Sequence, residues 1–398
     1  MGNRSSGSIA AAVIAAAAAG AVISVSVTRT SAQAPVVSGS ELKTPWGEPD
    51  LQGIWTDEFD TPLQRPPRYA NQEFFTEEQR ADLDKARSAI LTRFATERAI
   101  NGAYNAATFF STKRTGLRTS KIVDPPSGRL PPLTAEAQMM AAADREFRLA
   151  MLQSTDTCKK KQAGCAGGTY DPTPSPRRAE APPRYNTARM NRNDGPEDSS
   201  LAERCLTAGL PEFGGNTGSF RRIVQTAGGI SIFYDVGQGQ GWQRNIVMGG
   251  RPHLPAGIRQ WFGDSRGRWE GDTLVVDVTN FSPKTDVFGS RENLHLVERW
   301  RRTGPRTLSY EVTIEDPTVW TRPWTVKQEF SRQSDEENRF YTEPRCLEGN
   351  LGLPGLLHGR RVEDAAFAQG RGPDPAATDN TDGSRLTQAE VPQDPLQQ

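Results

Sequence analysis

Residues 261–330 restrict the fold more than any other part of the chain. They read WFGDSRGRWEGDTLVVDVTNF, then NLHLVERWRR, then RTLSYEVTIED, then RPWTVKQEF. Each run alternates or nearly alternates apolar and polar residues and is bounded by Gly, Pro, Asp or Asn. Side chains on an extended backbone point to opposite faces in turn, so this pattern buries one face of a strand and wets the other. A helix would scatter the same apolar residues around its axis. Upstream, RRIVQTAG, GISIFYDV and WQRNIVM add three more short runs of the same kind. About eight to ten short strands, spaced roughly 8–12 residues apart, predict an antiparallel barrel or sandwich.

The rest of the chain is poor in core-building residues. Hydrophobic residues make up 35 % of it, against 37 Gly and 29 Pro. One moderate core with long irregular decoration fits that balance better than several compact domains. With 48 basic and 48 acidic side chains, there is no basic footprint for nucleic acid or an anionic membrane surface. The expected partner is a small molecule.

Residues 1–34 read as an export signal. Arg4 gives the positive start, residues 9–27 form an Ala-rich apolar run, and Thr30-Ser31-Ala32-Gln33-Ala34 offers small residues for cleavage. Pro35 disfavours a cut after Ala34, which points to a cut after Ala32; the competing expectation is an uncleaved anchor. The signal is the only membrane association expected, and the mature chain is placed in the periplasm or outside the cell. Export admits disulfides. Four cysteines, Cys158, Cys165, Cys205 and Cys346, allow three pairings. Cys158 and Cys165 flank a short Lys-rich loop, which favours a local bridge. Cys205–Cys346 would then close a long loop around the sheet and contribute about 3–5 kcal/mol in the chain-entropy model.

In chain order, residues 35–152 hold an N-terminal arm, a first strand and a helical segment. The strand contains Leu51, Gly53, Ile54 and Trp55. A helix is predicted over 75–100, where Thr76 and Gln79 make a capping box and Leu83, Ala86, Ile90 and Phe94 share a face. A short strand is expected at 121–123. A second helix starts at the N-cap Thr134, with Met139, Met140, Ala143, Phe147 and Met151 as its apolar face. Residues 153–200 are a loop or linker, 201–361 the β core, and 362–398 a Pro-, Asp- and Gln-rich tail expected to be disordered.

The face split also selects the residues that could do chemistry. Leu294, Leu296, Glu298 and Trp300 share one face, as do Leu308, Tyr310, Val312 and Ile314, and Trp324, Val326, Gln328 and Phe330. If these sets share the interior, Glu298 is an inward carboxylate with Tyr310 and Gln328 as polar companions. Burial raises a carboxyl's pKa toward useful acid–base values. His295, Arg299 and Glu311 lie on the opposite face and would meet across strands. Trp300, Trp320 and Trp324 offer stacking surface for a ring, with Arg299 and Gln328 as polar contacts. GDSRG at 263–267 matches Gly-x-Ser-x-Gly, but a strand follows the Ser where a nucleophile elbow needs a helix. It is therefore read as a turn whose Asp264 caps backbone N–H groups. Three scattered histidines predict no metal site, and nothing in the sequence implies a cofactor.

The Gly53-x-Trp55 pair resembles the opening strand of calycin-type barrels such as lipocalins, in which the Trp plugs one end beneath an Arg. That resemblance refines the expected fold to a mainly β, calycin-like antiparallel barrel or sandwich with a helical insertion after the first strand. PWGEPDLQGIW, RTSKIVDPPSGRLPPLT, RCLTAGLP, GRPHLP, GDSRGRWEGDTLVVDVTNF, EDPTVWTRPWT and CLEGNLGL together resemble a family of exported, largely uncharacterised bacterial proteins. The likeness spans most of residues 44–361 and implies no particular reaction. Family members often carry Tyr-Glu-x-x-Cys-His-Glu-Gly-Asn. Here Thr342 stands in place of the Glu and Leu347 in place of the His, so a catalytic role of that His in relatives would be impaired or different in this chain, and Glu348 is the candidate taken from that stretch. The functional expectation is a lyase, isomerase or hydrolase acting on a small organic or glycosidic molecule. Glu298, Tyr310, His295 and Glu348 are its candidate catalytic residues. A non-catalytic binding protein and an envelope interaction protein are the alternatives.

Overall fold

A computed structural model of the chain describes residues 42–57, 59–101, 113–201, 203–206, 209–213, 220–237, 240–334 and 352–381. In order, these form β1 (Gly53–Thr56), β2 (Phe59–Asp60), α1 (Glu77–Asn101), β3 (Arg114–Thr115), β4 (Ile122–Asp124), α2 (Ala135–Leu152) and α3 (Asp156–Lys159). Then come β5 (Phe220–Thr226), β6 (Gly229–Gly237), β7 (Gln240–Met248), β8 (Asp264–Glu270), β9 (Thr273–Thr279), β10 (His295–Gly304), β11 (Thr307–Glu315), β12 (Trp324–Arg332) and α4 (Gly352–Ala368). The signal sequence lies outside the described residues, as do Cys346 and Glu348.

The sheet runs β1-β5-β6-β7-β8-β9-β10-β11-β12, and β12 pairs back onto β1. The closed ring is a barrel, which decides between the two expected architectures. It is mixed, not purely antiparallel, because β7 and β8 pair in parallel, Ile246 against Ser265. The long connection 249–263 carries the chain back along the sheet, so β8 starts from the same end as β7. Closure leaves no free edge around the ring except at one seam. There β12 is shared: Ser331 and Arg332 pair with Thr56 and Trp55, whereas Thr325 and Val326 pair with β4.

The inward sets interlock as the alternation predicts. Leu296, Leu308, Val312, Ile314, Trp324, Val326 and Phe330 join Trp55, Ile223, Ile232 and Ile246 in one buried core. Trp55 is fully buried, donates its indole N–H to the Leu51 carbonyl at 2.9 Å, and lies under the Arg302 guanidinium at 5.8 Å. This is the Trp-beneath-Arg arrangement expected from Gly53-x-Trp55.

Several expectations need correction. Residues 264–267 are not a turn; they begin β8. The turn falls one residue earlier, at Gly263, whose φ of +63° is unfavourable for other residues. A Cβ there would also sit 2.5 Å from the Thr279 carbonyl oxygen. Asp264 does accept the Leu254 N–H at 3.0 Å, as expected of it.

In α1 the Thr76–Gln79 capping box forms reciprocally, at 2.9 and 3.1 Å. Ala86 nevertheless faces out and Arg87 is buried. The helix docks on β3 by polar contacts. Asp84 accepts from the Thr115 N–H at 2.7 Å, and Arg87 donates to the Lys113 carbonyl at 2.8 Å. Phe94 has no described side chain. In α2 the buried stripe ends in Phe147, Met151 and Leu152, whereas Met139 is 67 % exposed. It lies two four-residue steps before Phe147, and because each such step overshoots the 3.6-residue turn it has drifted round the helix away from Met140, Phe147 and Met151.

The segment 153–200 is stapled by a Cys158–Cys165 disulfide, and Cys205 is disulfide-bonded as well. Residues 362–381 are not a disordered tail. Helix α4 continues to Ala368, and Ala376 is buried where its carbonyl accepts Ser154 Oγ–H at 3.0 Å. Asn380 donates its N–H to Asn191 Oδ1 at 2.8 Å. A polar composition did not prevent ordering here, because side chains of the loop it covers satisfy the tail's backbone groups.

Candidate functional site

Alternation along β10 turns Glu298 inward between Leu296 and Trp300, and its exposure is 0 %. A lone carboxylate there would cost several kcal/mol. From β7, across the interior, Arg244 meets it in a fork: Nη1 donates to Oε1 at 3.0 Å and Nη2 to Oε2. Tyr310 on β11 donates to Oε1 at 2.9 Å, and Arg244 also reaches the Tyr234 hydroxyl at 3.5 Å. Burial opposes the charge on Arg244, but the facing Glu298 outweighs it and holds the guanidinium above its ordinary pKa. Burial pushes Tyr234 up to about 12, and burial together with the Glu298 charge pushes Tyr310 well above its ordinary value. Each carboxylate oxygen of this cluster is engaged, Arg244 Nε is left without a partner among the described residues, and neither tyrosine releases a proton near neutral pH. Gln328, expected beside Glu298, instead donates to the Glu212 carbonyl at 3.3 Å.

A different arrangement stands at the seam. Between its β1 and β4 contacts the edge of β12 is open, and a cleft of about 530 Å³ lies against it. Its floor is Asp57 just after β1, Lys121 just before β4, and Gln328 on β12. Each is buried. Phe59, Phe74 and Leu117, 38 %, 52 % and 60 % exposed, also line it, as do Arg80 and Arg118. The lining carries four basic side chains, counting Lys327, against two acidic ones, Asp57 and Glu329.

The floor is held from below by the segment 210–213. The Phe213 carbonyl accepts from Lys121 Nζ and the Glu212 carbonyl from Gln328. Arg221 pairs with the Glu212 carboxylate and stacks on Phe330 at 3.9 Å. Two buried acceptors, Asp57 Oδ1 and Gln328 Oε1, have no hydrogen-bond partner among the described residues. The other Asp57 oxygen pairs with Lys113 at 2.9 Å. Burial raises the Asp57 carboxyl above its ordinary pKa against the pull of Lys113 and Lys121, and burial lowers the Lys121 amine against the pull of Asp57. Both groups are thus biased toward their neutral forms, the environment in which acid–base and nucleophilic groups are found.

On the outer wall a third group forms a ladder. His253 faces Asp264 at 2.9 Å and Asp277 at 2.8 Å; His295 faces Asp277 at 3.1 Å and Glu315 at 3.4 Å. A hydrogen bond and charge from Asp277 raise the His295 pKa. His295 is therefore not brought together with Arg299, which pairs with Glu270 at 2.9 Å on the same outer surface. Among the aromatic candidates, Trp300 is buried 4.2 Å from the Tyr310 ring, and Trp320 packs edge-on to Trp324 at 5.4 Å. All three are core side chains with no face left for a ligand. Among the sequence candidates that are described, Gln328 alone reaches the cleft. Arg244 and Arg221 are not among the sequence candidates, although the same face split places them inward, through Arg244-Ile246-Met248 and Arg221-Ile223-Gln225. Asp57 and Lys121 carried no local signal.

No protein-family model matches the chain, and no curated protein matches it. Among solved structures, a secretary abundant heat soluble (SAHS) protein from Ramazzottius varieornatus aligns with 33 % of this chain and 82 % of its own. The identity is 12 % and the TM-score 0.17. A likeness of that size carries no argument about function, so the site is read from its own geometry.

Proposed function

We propose that this chain is an exported β-barrel that binds a small organic acid with an apolar body in the seam cleft. The observation that carries the reading is a pair of buried acceptors without a partner among the described residues, Asp57 Oδ1 and Gln328 Oε1, in the floor of a half-apolar, net-basic cleft. A polar group buried without a partner costs about 1–3 kcal/mol, which a ligand carrying a hydrogen-bond donor offsets. Phe59, Phe74 and Leu117 suit a ring or short chain, and Arg80 and Arg118 suit its carboxylate. Among the described residues no helix is long and apolar enough to cross a membrane. That and the Cys158–Cys165 disulfide accord with export.

Calorimetric unfolding with 4-hydroxymethylbenzoate and with its neutral methyl amide tests the reading. The acid raises the midpoint and stabilises by about 2.7 kcal/mol at a hundred times its Kd; the amide does not, and Leu117→Asp removes the effect. Equal, negligible shifts from both compounds and from a wider set of aryl and alkyl acids sink it. The opposed shifts of Asp57 and Lys121 favour a second reading, catalysis by acid–base exchange on the bound molecule. In it these residues take the role that the sequence suggested for Glu298.

A further inference from the structure

Resting on the cleft as a small-molecule site, we propose that Lys121 is a carbonyl-reactive amine and that the cleft takes an aldehyde or ketone bearing an acidic group, held as an imine. The cleft's lysines are not equivalent. Lys327 is exposed and therefore solvated. Lys113, which is not part of the cleft lining, is engaged with Asp57 at 2.9 Å. Lys121 alone has its stem buried in the barrel wall while lining the cleft, with one N–H held by the Phe213 carbonyl. That bond fixes the amine and leaves its lone pair for a carbonyl carbon arriving from the cleft. Burial favours the neutral, nucleophilic form.

Asp57 lines the same floor, and burial favours its protonated form. The lone pair of Nζ adds to the carbonyl carbon, the π pair moves to oxygen, and the Asp57 carboxyl supplies a proton to give a carbinolamine. The nitrogen passes a proton to the Asp57 carboxylate. Asp57 then protonates the hydroxyl, and the nitrogen lone pair forms C=N as water leaves. Loss of the remaining N–H proton from the iminium returns Asp57 to its starting form. The sum is carbonyl plus amine giving imine plus water, with no oxidant or reductant. Arg80 and Arg118 at the cleft wall suit the ligand's carboxylate, and Gln328 Oε1 can accept from its hydroxyl or amide.

The experiment uses the full chain, 4-carboxybenzaldehyde as probe and sodium cyanoborohydride as trap, with peptide mapping of the adduct. The expected result is one predominant adduct, on Lys121, formed at least tenfold faster than on any other lysine and suppressed by excess 4-hydroxymethylbenzoate. Lys121→Arg should lose it. Because that variant replaces a buried residue and its folding is open to question, the wild-type map decides. Label spread over surface lysines, with saturable binding of 4-hydroxymethylbenzoate retained, overturns the role of Lys121 and leaves the cleft reading standing. Spread label with no binding of the acid overturns both.

Discussion

Two buried polar clusters among the described residues of the barrel differ in how their carboxylates are satisfied. Around Glu298, a guanidinium fork and a tyrosine hydroxyl engage both carboxylate oxygens, and the surroundings are packed aromatic and aliphatic side chains. Around Asp57 and Lys121, one carboxylate oxygen and one amide oxygen lack partners among the described residues, and the group borders open volume. The first resembles a structural tie between β7, β10 and β11. The second is the one we propose for a ligand. Burial alone therefore does not mark a functional carboxylate; incomplete pairing beside a cavity does.

Removing a partner from each cluster separates them most sharply. Glu298→Gln strands the Arg244 charge in the core and is expected to cost about 3–5 kcal/mol in urea unfolding. Adding Arg244→Met recovers much of that loss. If the single variant unfolds like wild type, the Glu298 cluster is not the tie argued above. The cleft should react oppositely. The Asp57 pKa is raised in the fold, so its favourable contribution is full below the unfolded value near 3.8 and is lost as pH rises through the folded one. Asp57→Asn is thus expected at pH 7 to lie within about 1 kcal/mol of wild type or above it. Its advantage should shrink as pH falls toward 4, and urea unfolding across that range measures it.

At the mouth of the cleft the contrast moves from stability to binding. Phe74→Asp changes an exposed residue, so stability should stay within about 0.5 kcal/mol, while binding of the acid weakens at least tenfold by calorimetry. The smallest effect belongs to the outer ladder. The raised His295 pKa contributes below about 6.5 and fades as pH rises through the folded value. The lowered Asp264 and Asp277 pKa values contribute above about 3.8 and fade as pH falls through theirs. His295→Gln should therefore differ from wild type chiefly between about pH 4 and 6.5, and by little, since the groups are partly solvated. A constant difference across that range and up to pH 9 would remove the ladder's titration from the account.

By itself, the sequence determined which face of each barrel strand points inward, because a period of two leaves no freedom once one face is apolar. Inward Glu298 and Tyr310, the α1 capping box and the Thr134 N-cap all follow from such local rules, whereas the buried Trp55 was expected from the calycin-type resemblance. Tertiary structure decided what those residues meet. Arg244 stands 54 positions from Glu298, and only closure of the ring sets them across one interior. The same closure turned Trp300, Trp320 and Trp324 from a stacking surface into core. It also split the β12 edge between β1 and β4, bringing Asp57, Lys121 and Gln328 to one cleft from three separate segments. Local pattern fixes the direction of a side chain; which charges share a desolvated space depends on contacts far apart in the chain, and that sharing sets both pairing and pKa.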